Sequence, residues 1–385
     1  MPGPLQGIRV LDLSTVIAGP FATQILGDMG ADIVKIEPPQ GDIMRAPGPA
    51  RNPGMGAAFL NCNRNKESVT LDLKQAADRD RLLEMVGTAQ VLVHNMRPAA
   101  AARLGLAYED VQAHNASLIY CAIVGYGQSG PYRSRPAYDD IIQAAAGWAG
   151  MEQRVGGEPR YAPTIVADKT TALYAVSAIN AALYHLERTG EGQHIEVPMF
   201  ELMASFLLVE QLGGRTFVPS EGPAGYSRLL SKHRRPHRTK DGYISVMPYT
   251  GAHWRRFFDA AGRLDWAQDE RLNSDTTRAG MIDALYECLS QTLSERTSAE
   301  WMALLPQADI PCSPVNSVDD LLNDEHLRAV GFFVKSSHPS EGDVLTTRPP
   351  IQFSRTPCEI RTLAPSLPTE STIPLTAEPG IDFSP

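Results

Sequence analysis

Little in this chain marks it for nucleic acid, membranes, metals or disulfides. Its net charge is −9, so no overall basic field exists to attract a nucleic acid or an anionic bilayer. No uninterrupted apolar run is long enough to span a membrane. The start, Met1-Pro2-Gly3-Pro4, lacks the basic stretch and apolar core of a secretory signal. The five cysteines (Cys62, Cys121, Cys288, Cys312, Cys358) are scattered, with no Cys-x-x-Cys pair. That pattern indicates neither a disulfide framework nor a zinc site, and it fits a cytoplasmic protein. Nothing among the histidines is read as a metal site, and no Gly-x-Ser-x-Gly elbow supports serine-hydrolase chemistry.

What is present is a chain of 385 residues with 43% hydrophobic and 21% charged residues, enough for a sizeable core and more than one domain. Strand patterns at Ile8–Leu13 and Ile33–Glu37 flank a short helix from Phe21 to Met29. A second round runs through a strand at Val69–Leu73, a helix from about Gln75 to Val86, and strands at Val91–Val93 and Leu118–Val124. Repetition of strand, helix, strand predicts an α/β domain, Rossmann-like, with a parallel sheet covered by helices. An Ala-rich helix after Asp168 stops at Gly190, and Ile195, Val197 and Met199 alternate like a strand. Pro219 to Gly225 reads as a linker, followed by a smaller α+β domain. The expected division is 1–218, the large domain; 219–329, linker and small domain; and 330–385, a return to the large domain ending in a Pro-rich tail, extended over another surface or disordered.

Asp168 ends the apolar run Ile165-Val166-Ala167 where the long helix begins. There a carboxylate is fixed and loses water, as a covalent nucleophile must, although Asp is also a common N-cap. Arg97 follows a strand, Arg103 lies on the next helical turn, and Lys74 follows Leu73. Cations at the carboxyl edge of a parallel sheet suit phosphates. The first turn, Ser14 to Pro20, holds one glycine and so fails the Gly-x-Gly-x-x-Gly fingerprint despite Glu37 beyond it. The loop Gly125-Tyr126-Gly127-Gln128-Ser129-Gly130-Pro131 lacks the Lys-Ser/Thr of a P-loop. Lys232 to Arg238 is the one dense basic run, read as an exposed linker, an interface or an acidic-substrate contact.

Taken together, these segments resemble the family III CoA-transferases, the carnitine and bile-acid CoA-transferase group. The matching pieces include Ala18-Gly19-Pro20, Gly30 to Glu37, Asn65-Lys66-x-Ser68-x-x-Leu71-Asp72-Leu73, Asn95-x-Arg97-Pro98, Gly125-Tyr126-Gly127, Ala167-Asp168-Lys169 and Thr189 to Gln193, in the family's order. The resemblance implies that Asp168 is the catalytic aspartate. It implies a CoA site lined by Ile17, Ala18, Leu71, Asp72, Leu73, Lys74, Asn95, Met96, Arg97, Arg103, Pro136, Ala137, Tyr138 and Asp139. It further implies an interlocked homodimer of ring-shaped chains and no permanently bound cofactor, coenzyme A thioesters being substrates. Backbone N–H groups of a glycine loop are expected to stabilise oxyanions. Racemases of the same fold carry Gly-His-Asp where this chain has Ala137-Tyr138-Asp139, so transfer is preferred over 2-methylacyl-CoA racemisation or a catalytically silent CoA-binding dimer. The formyl-CoA/oxalate enzymes carry Gln where Ile17 stands, which favours a larger acid. Arg234, Arg235 and Arg238 are candidates for the distal carboxylate of a dicarboxylic acceptor.

Overall fold

The computed structural model describes residues 3–368; Pro374 and Pro379 of the expected tail lie outside them. Contacts divide the chain into two compact units, 1–147 with 161–206 and 326–385, and 148–160 with 207–325.

The first unit is built on six parallel strands: β1 (Arg9–Asp12), β2 (Asp32–Glu37), β3 (Lys66–Thr70), β4 (Val91–His94), β5 (Ile119–Val124) and β6 (Gln193–Pro198), in the order β3-β2-β1-β4-β5-β6. The order reverses between β1 and β4, and a crevice opens at the carboxyl ends of these two strands for geometric reasons alone. Leu11, Val34, Ile36, Leu92 and Tyr120 pack on one face against Leu82 and Val86 of α3 (Ala76–Val86) and Val111 of α5 (Tyr108–Gln112). The other face carries α1 (Ala18–Asp28) and α8 (Val166–Thr189), whose Ala22, Leu26, Ala172, Ala175 and Ile179 are buried. Short helices α2 (Ala57–Cys62), α4 (Pro98–Arg103) and α6 (Asp139–Ala145) lie on the connections, and α7 (Trp148–Gly156) opens the second unit's first segment. Gly190 closes α8 with φ of 75°, a left-handed cap available to glycine at little cost.

Strand β3 differs from the Val69–Leu73 expected. It begins at Lys66, whose charge hides the strand pattern, because a buried ion pair with Asp12 at 2.9 Å holds that residue inside. Leu71 makes one last ladder bond to Glu37, and Asp72 then accepts the Gln75 N–H to turn the chain. Met199 likewise starts a helix rather than ending β6. Beside β3 runs the chain from 359 to 368: Asn65 donates to the Thr362 and Glu359 carbonyls, and Thr70 to that of Pro368. This covers the open edge of the sheet. The same unit contains the antiparallel hairpin β10 (Phe333–His338) and β11 (Gly342–Thr347).

The second unit has the antiparallel sheet β7 (His237–Arg238), β8 (Tyr243–Val246) and β9 (Cys312–Pro314). Its core is aromatic: Trp254, Phe257, Phe258, Tyr286 and Trp301 are all buried. Two helices, Asp275–Gly280 and Ile282–Leu293, are separated by a break at Met281. Among the described residues no helix is long and apolar enough to cross a membrane.

Candidate active site

A cleft of about 250 Å³ lies in the first unit at the switch point between β1 and β4. The exit of β1 contributes Thr15, Val16 and Ala18, and the exit of β4 contributes Asn95, Met96, Arg97 and Pro98. Asn95 ties the two together, accepting the Thr15 N–H at 3.0 Å and donating to the Thr15 carbonyl at 2.8 Å. His94, just before, is buried and accepts the Met96 N–H on Nδ1, which shapes the turn. Burial, with His194 nearby, pushes its pKa down to about 4, so the imidazole is neutral at physiological pH.

Asp168 faces this cleft. It stands in the first turn of α8 but does not cap it; the N-cap is Ile165, without a side-chain bond. Its own N–H is held at 2.9 Å by Oδ1 of Asp139, whose Oδ2 accepts from Gln143 at 2.5 Å. Asp168 is only 8% exposed. Among the described residues nothing donates a hydrogen bond to its carboxylate. Burial, reinforced by the Asp139 charge, raises its pKa from 3.8 to about 7. Desolvation and a like charge thus outweigh the favourable field of the helix N-terminus. The result is a carboxylate that is available, high in free energy when ionised, and aimed into a cleft: the properties of a nucleophile rather than of a structural cap.

Of the residues singled out from the sequence, Ala18, Asn95, Met96, Arg97, Pro136, Ala137, Tyr138 and Asp168 share the cleft. Ile17 and Asp139 are buried immediately behind it. Leu71 belongs to the hydrophobic core and Leu73 packs against it, while Asp72, Lys74 and Arg103 lie off the cleft. Arg234, Arg235 and Arg238 are in the second unit, ahead of and within β7. His233 and His237 there stand four residues apart, the spacing of a helical metal pair. However, no helix carries them, and buried His237 bonds Ser290 through Nδ1. Among the described residues no group of three metal-ligating side chains converges.

Other residues of the cleft escaped the sequence reading: Val16, Ile43, Gln128, Arg133, Arg135 and Met199. The glycine loop also behaves differently from expectation. Gly125-x-Gly127-x-x-Gly130 has fingerprint spacing after a strand, yet no helix follows it until Asp139. The Gly127 and Gln128 N–H groups donate to the carboxylates of Glu201 and Glu196 at 2.9 and 3.0 Å. These two amides are therefore spent on shaping the loop and are not free for an oxyanion. Gly125 is required by packing, since a Cβ there would stand 2.3 Å from that of Ala137.

A family model described as CoA-transferase family III matches residues 5–371. The chain belongs to CoA-transferase family III. It is 33% identical over 377 residues to the succinate–glutarate CoA-transferase of Agrobacterium fabrum, covering 94% of this chain and 93% of that one. It is also 33% identical to the acetyl-CoA:oxalate CoA-transferase of Acetobacter aceti, over 91% of this chain and 90% of the relative. Among solved structures, a CaiB/BaiF family protein from Brucella suis superposes with a TM-score of 0.81 at 30% identity, covering 95% of this chain and 97% of the other. The protein is thus a transferase of this family, using coenzyme A thioesters as substrates.

Proposed function

We propose that the enzyme moves coenzyme A from an acyl-CoA, succinyl-CoA being the candidate donor, to a short-chain dicarboxylic acid, with Asp168 as covalent carrier. The observation that carries this is the buried, raised-pKa carboxylate of Asp168 in a cleft bordered by arginines. Asp168 attacks the thioester carbonyl, the C–S bond breaks, and a mixed anhydride forms with release of the CoA thiolate. The thiolate then attacks the aspartyl carbonyl, expelling the donor acid and leaving an aspartyl-CoA thioester. The acceptor carboxylate reverses the two steps, so the thioester is passed on without ATP and no proton is consumed.

Burial and Asp139 raise the free energy of the ionised aspartate, whereas the anhydride and thioester are neutral at that position. Acylation therefore relieves repulsion that the free enzyme carries, which favours the covalent step. Arg97, and Arg103 beyond the cleft, supply charge for the CoA phosphates. The dicarboxylate reading draws on relatives named for glutarate and for malate transfer; the oxalate relative is as similar in sequence, so identity alone does not choose among acids.

Homodimerisation is part of the same reading. It is supported by exposed apolar side chains on α8 (Leu173, Tyr174, Tyr184) and, in the second unit, by Val209, Phe217 and Val218, which a second copy would cover. Light scattering tests it, and a monomer at assay concentration removes it. Cytoplasmic location is supported by five free cysteines.

The deciding experiment is Asp168→Ala. Exchange is expected to vanish while CoA binding and folding persist, and wild-type enzyme treated with acyl-CoA and then hydroxylamine is expected to carry a hydroxamate at this residue. Substantial exchange by the alanine variant would falsify the assignment.

A further inference from the structure

Val16, at the mouth of the cleft, has φ of 71°. A β-branched residue in the left-handed region is a strained conformational outlier that persists only where its surroundings over-determine it. Here they do. The Val16 N–H donates to Oδ1 of Asp42 at 3.2 Å. The other carboxylate oxygen of Asp42 pairs with the fully buried Lys35 ammonium at 3.0 Å, and the same ammonium holds the Ser14 carbonyl at 2.8 Å. Thr15, between them, is pinned at both backbone groups by Asn95. Asp42 is itself anchored: Glu37 at the end of β2 accepts its N–H at 2.9 Å and grips Arg45 through both carboxylate oxygens. The Ser14 carbonyl, both Thr15 backbone groups and the Val16 N–H are thus each tied to a side chain from β2, the turn beyond it or the exit of β4.

What this lattice aims is the start of α1. The helix begins at Ala18 with no side-chain cap and no acidic residue in its first turn, so its leading amides are unsatisfied by construction. Among the described residues neither the Ile17 nor the Ala18 N–H has an acceptor. Ala18 and Asp168 line the same cleft, and the Asp168 carboxylate, more than nine-tenths buried, is itself without a donor. With the Gly127 and Gln128 amides committed to glutamates, the Ile17 and Ala18 amides are available to meet an oxyanion beside Asp168.

We infer that Asp42, which does not line the cleft, is a positioning residue: with Lys35 it locks Val16 in the left-handed turn that points the first amides of α1 at the reacting carbonyl. Valine is the informative choice. Glycine would adopt this φ freely but many others too; valine, once held by Asp42, confines the turn to one conformation.

The inference rests on Asp168 as nucleophile, and the test separates the two. Val16→Gly relieves the strain, so its melting temperature should equal or exceed wild type and free CoA should bind nearly as before. Its kcat should nonetheless fall about tenfold to a hundredfold, because a donor misplaced by a fraction of an ångström loses most of its transition-state effect. Asp42→Asn should lower kcat comparably. The double variant should be no worse than the weaker single one, since both changes break one device. Slow hydroxamate formation at Asp168 should survive in each. Wild-type kcat in Val16→Gly overturns the proposal even if Asp42→Asn does not fold, and multiplying effects in the double variant overturn it as well. Loss of trapping at Asp168 in the wild-type enzyme would instead remove the nucleophile assignment beneath it.

Discussion

Replacing Asp168 by asparagine should make this protein more stable while making it inactive. The carboxyl pKa rises from 3.8 to about 7, which corresponds to about 4 kcal/mol of destabilisation of the ionised form. The open side of the cleft and local relaxation reduce this to about 2–4 kcal/mol. The pH window follows from the sign of the shift. Between about pH 4 and 7 the folded protein keeps a proton that the unfolded chain has lost, so stability declines as pH rises, and the cost is complete above pH 7. The asparagine side chain carries no charge at any pH. The stability difference, variant minus wild type, should therefore be small near pH 4, grow through the window, and level off at about pH 8. At roughly 2 °C per kcal/mol for a chain of this size, the plateau is a gain of about 4–8 °C in melting temperature. Calorimetry of both proteins over this pH range measures it. A variant no more stable than wild type at pH 8, or a gain independent of pH, would refute the claim that Asp168 is held against its preferred ionisation. Asp139→Asn should move the acidic limb of kcat/KM to lower pH, since it removes the like charge while leaving an amide oxygen for the Asp168 N–H.

Three further outcomes are expected. Arg97→Ala should weaken CoA binding by about 1–3 kcal/mol, roughly 5- to 150-fold, for every donor alike; because Arg97 borders the cleft and Arg103 does not, Arg103→Ala should have the smaller effect, and equal or absent effects in titration calorimetry count against phosphate recognition by this edge. A chiral 2-methylacyl-CoA incubated in deuterated water should keep its α-proton, because Tyr138, 68% exposed, stands where a racemase has histidine and is a poor base at neutral pH. Neutralising Arg234, Arg235 and Arg238 should raise KM for dicarboxylic acceptors more than for monocarboxylic ones, and equal changes would leave the acceptor pocket to be sought elsewhere.

Much of this was written locally in the chain. Apolar alternation and runs marked β1, β2, β4, β5 and β6 within a residue or two, whereas the buried Lys66 broke the pattern at β3. Gly190 marked the end of α8, and Asp168 was visible as a carboxylate entering a long helix. Those features depend on neighbours within a turn or a strand, so residue order by itself determines them. Asp139 and Asp168, by contrast, meet across 29 positions, and burial in the fold, reinforced by the Asp139 charge, raises the Asp168 carboxyl pKa to about 7. Likewise Arg133 and Arg135 look like surface charges in a loop until the sheet brings that loop to the cleft. Val16 is the extreme case. Its residue type argues against the left-handed turn it adopts, and Lys35 and Asp42, from β2 and the turn beyond it, impose that conformation. Tertiary structure decided these because burial, like-charge repulsion and imposed strain are properties of groups brought together from distant parts of the chain, and none is carried by a residue alone.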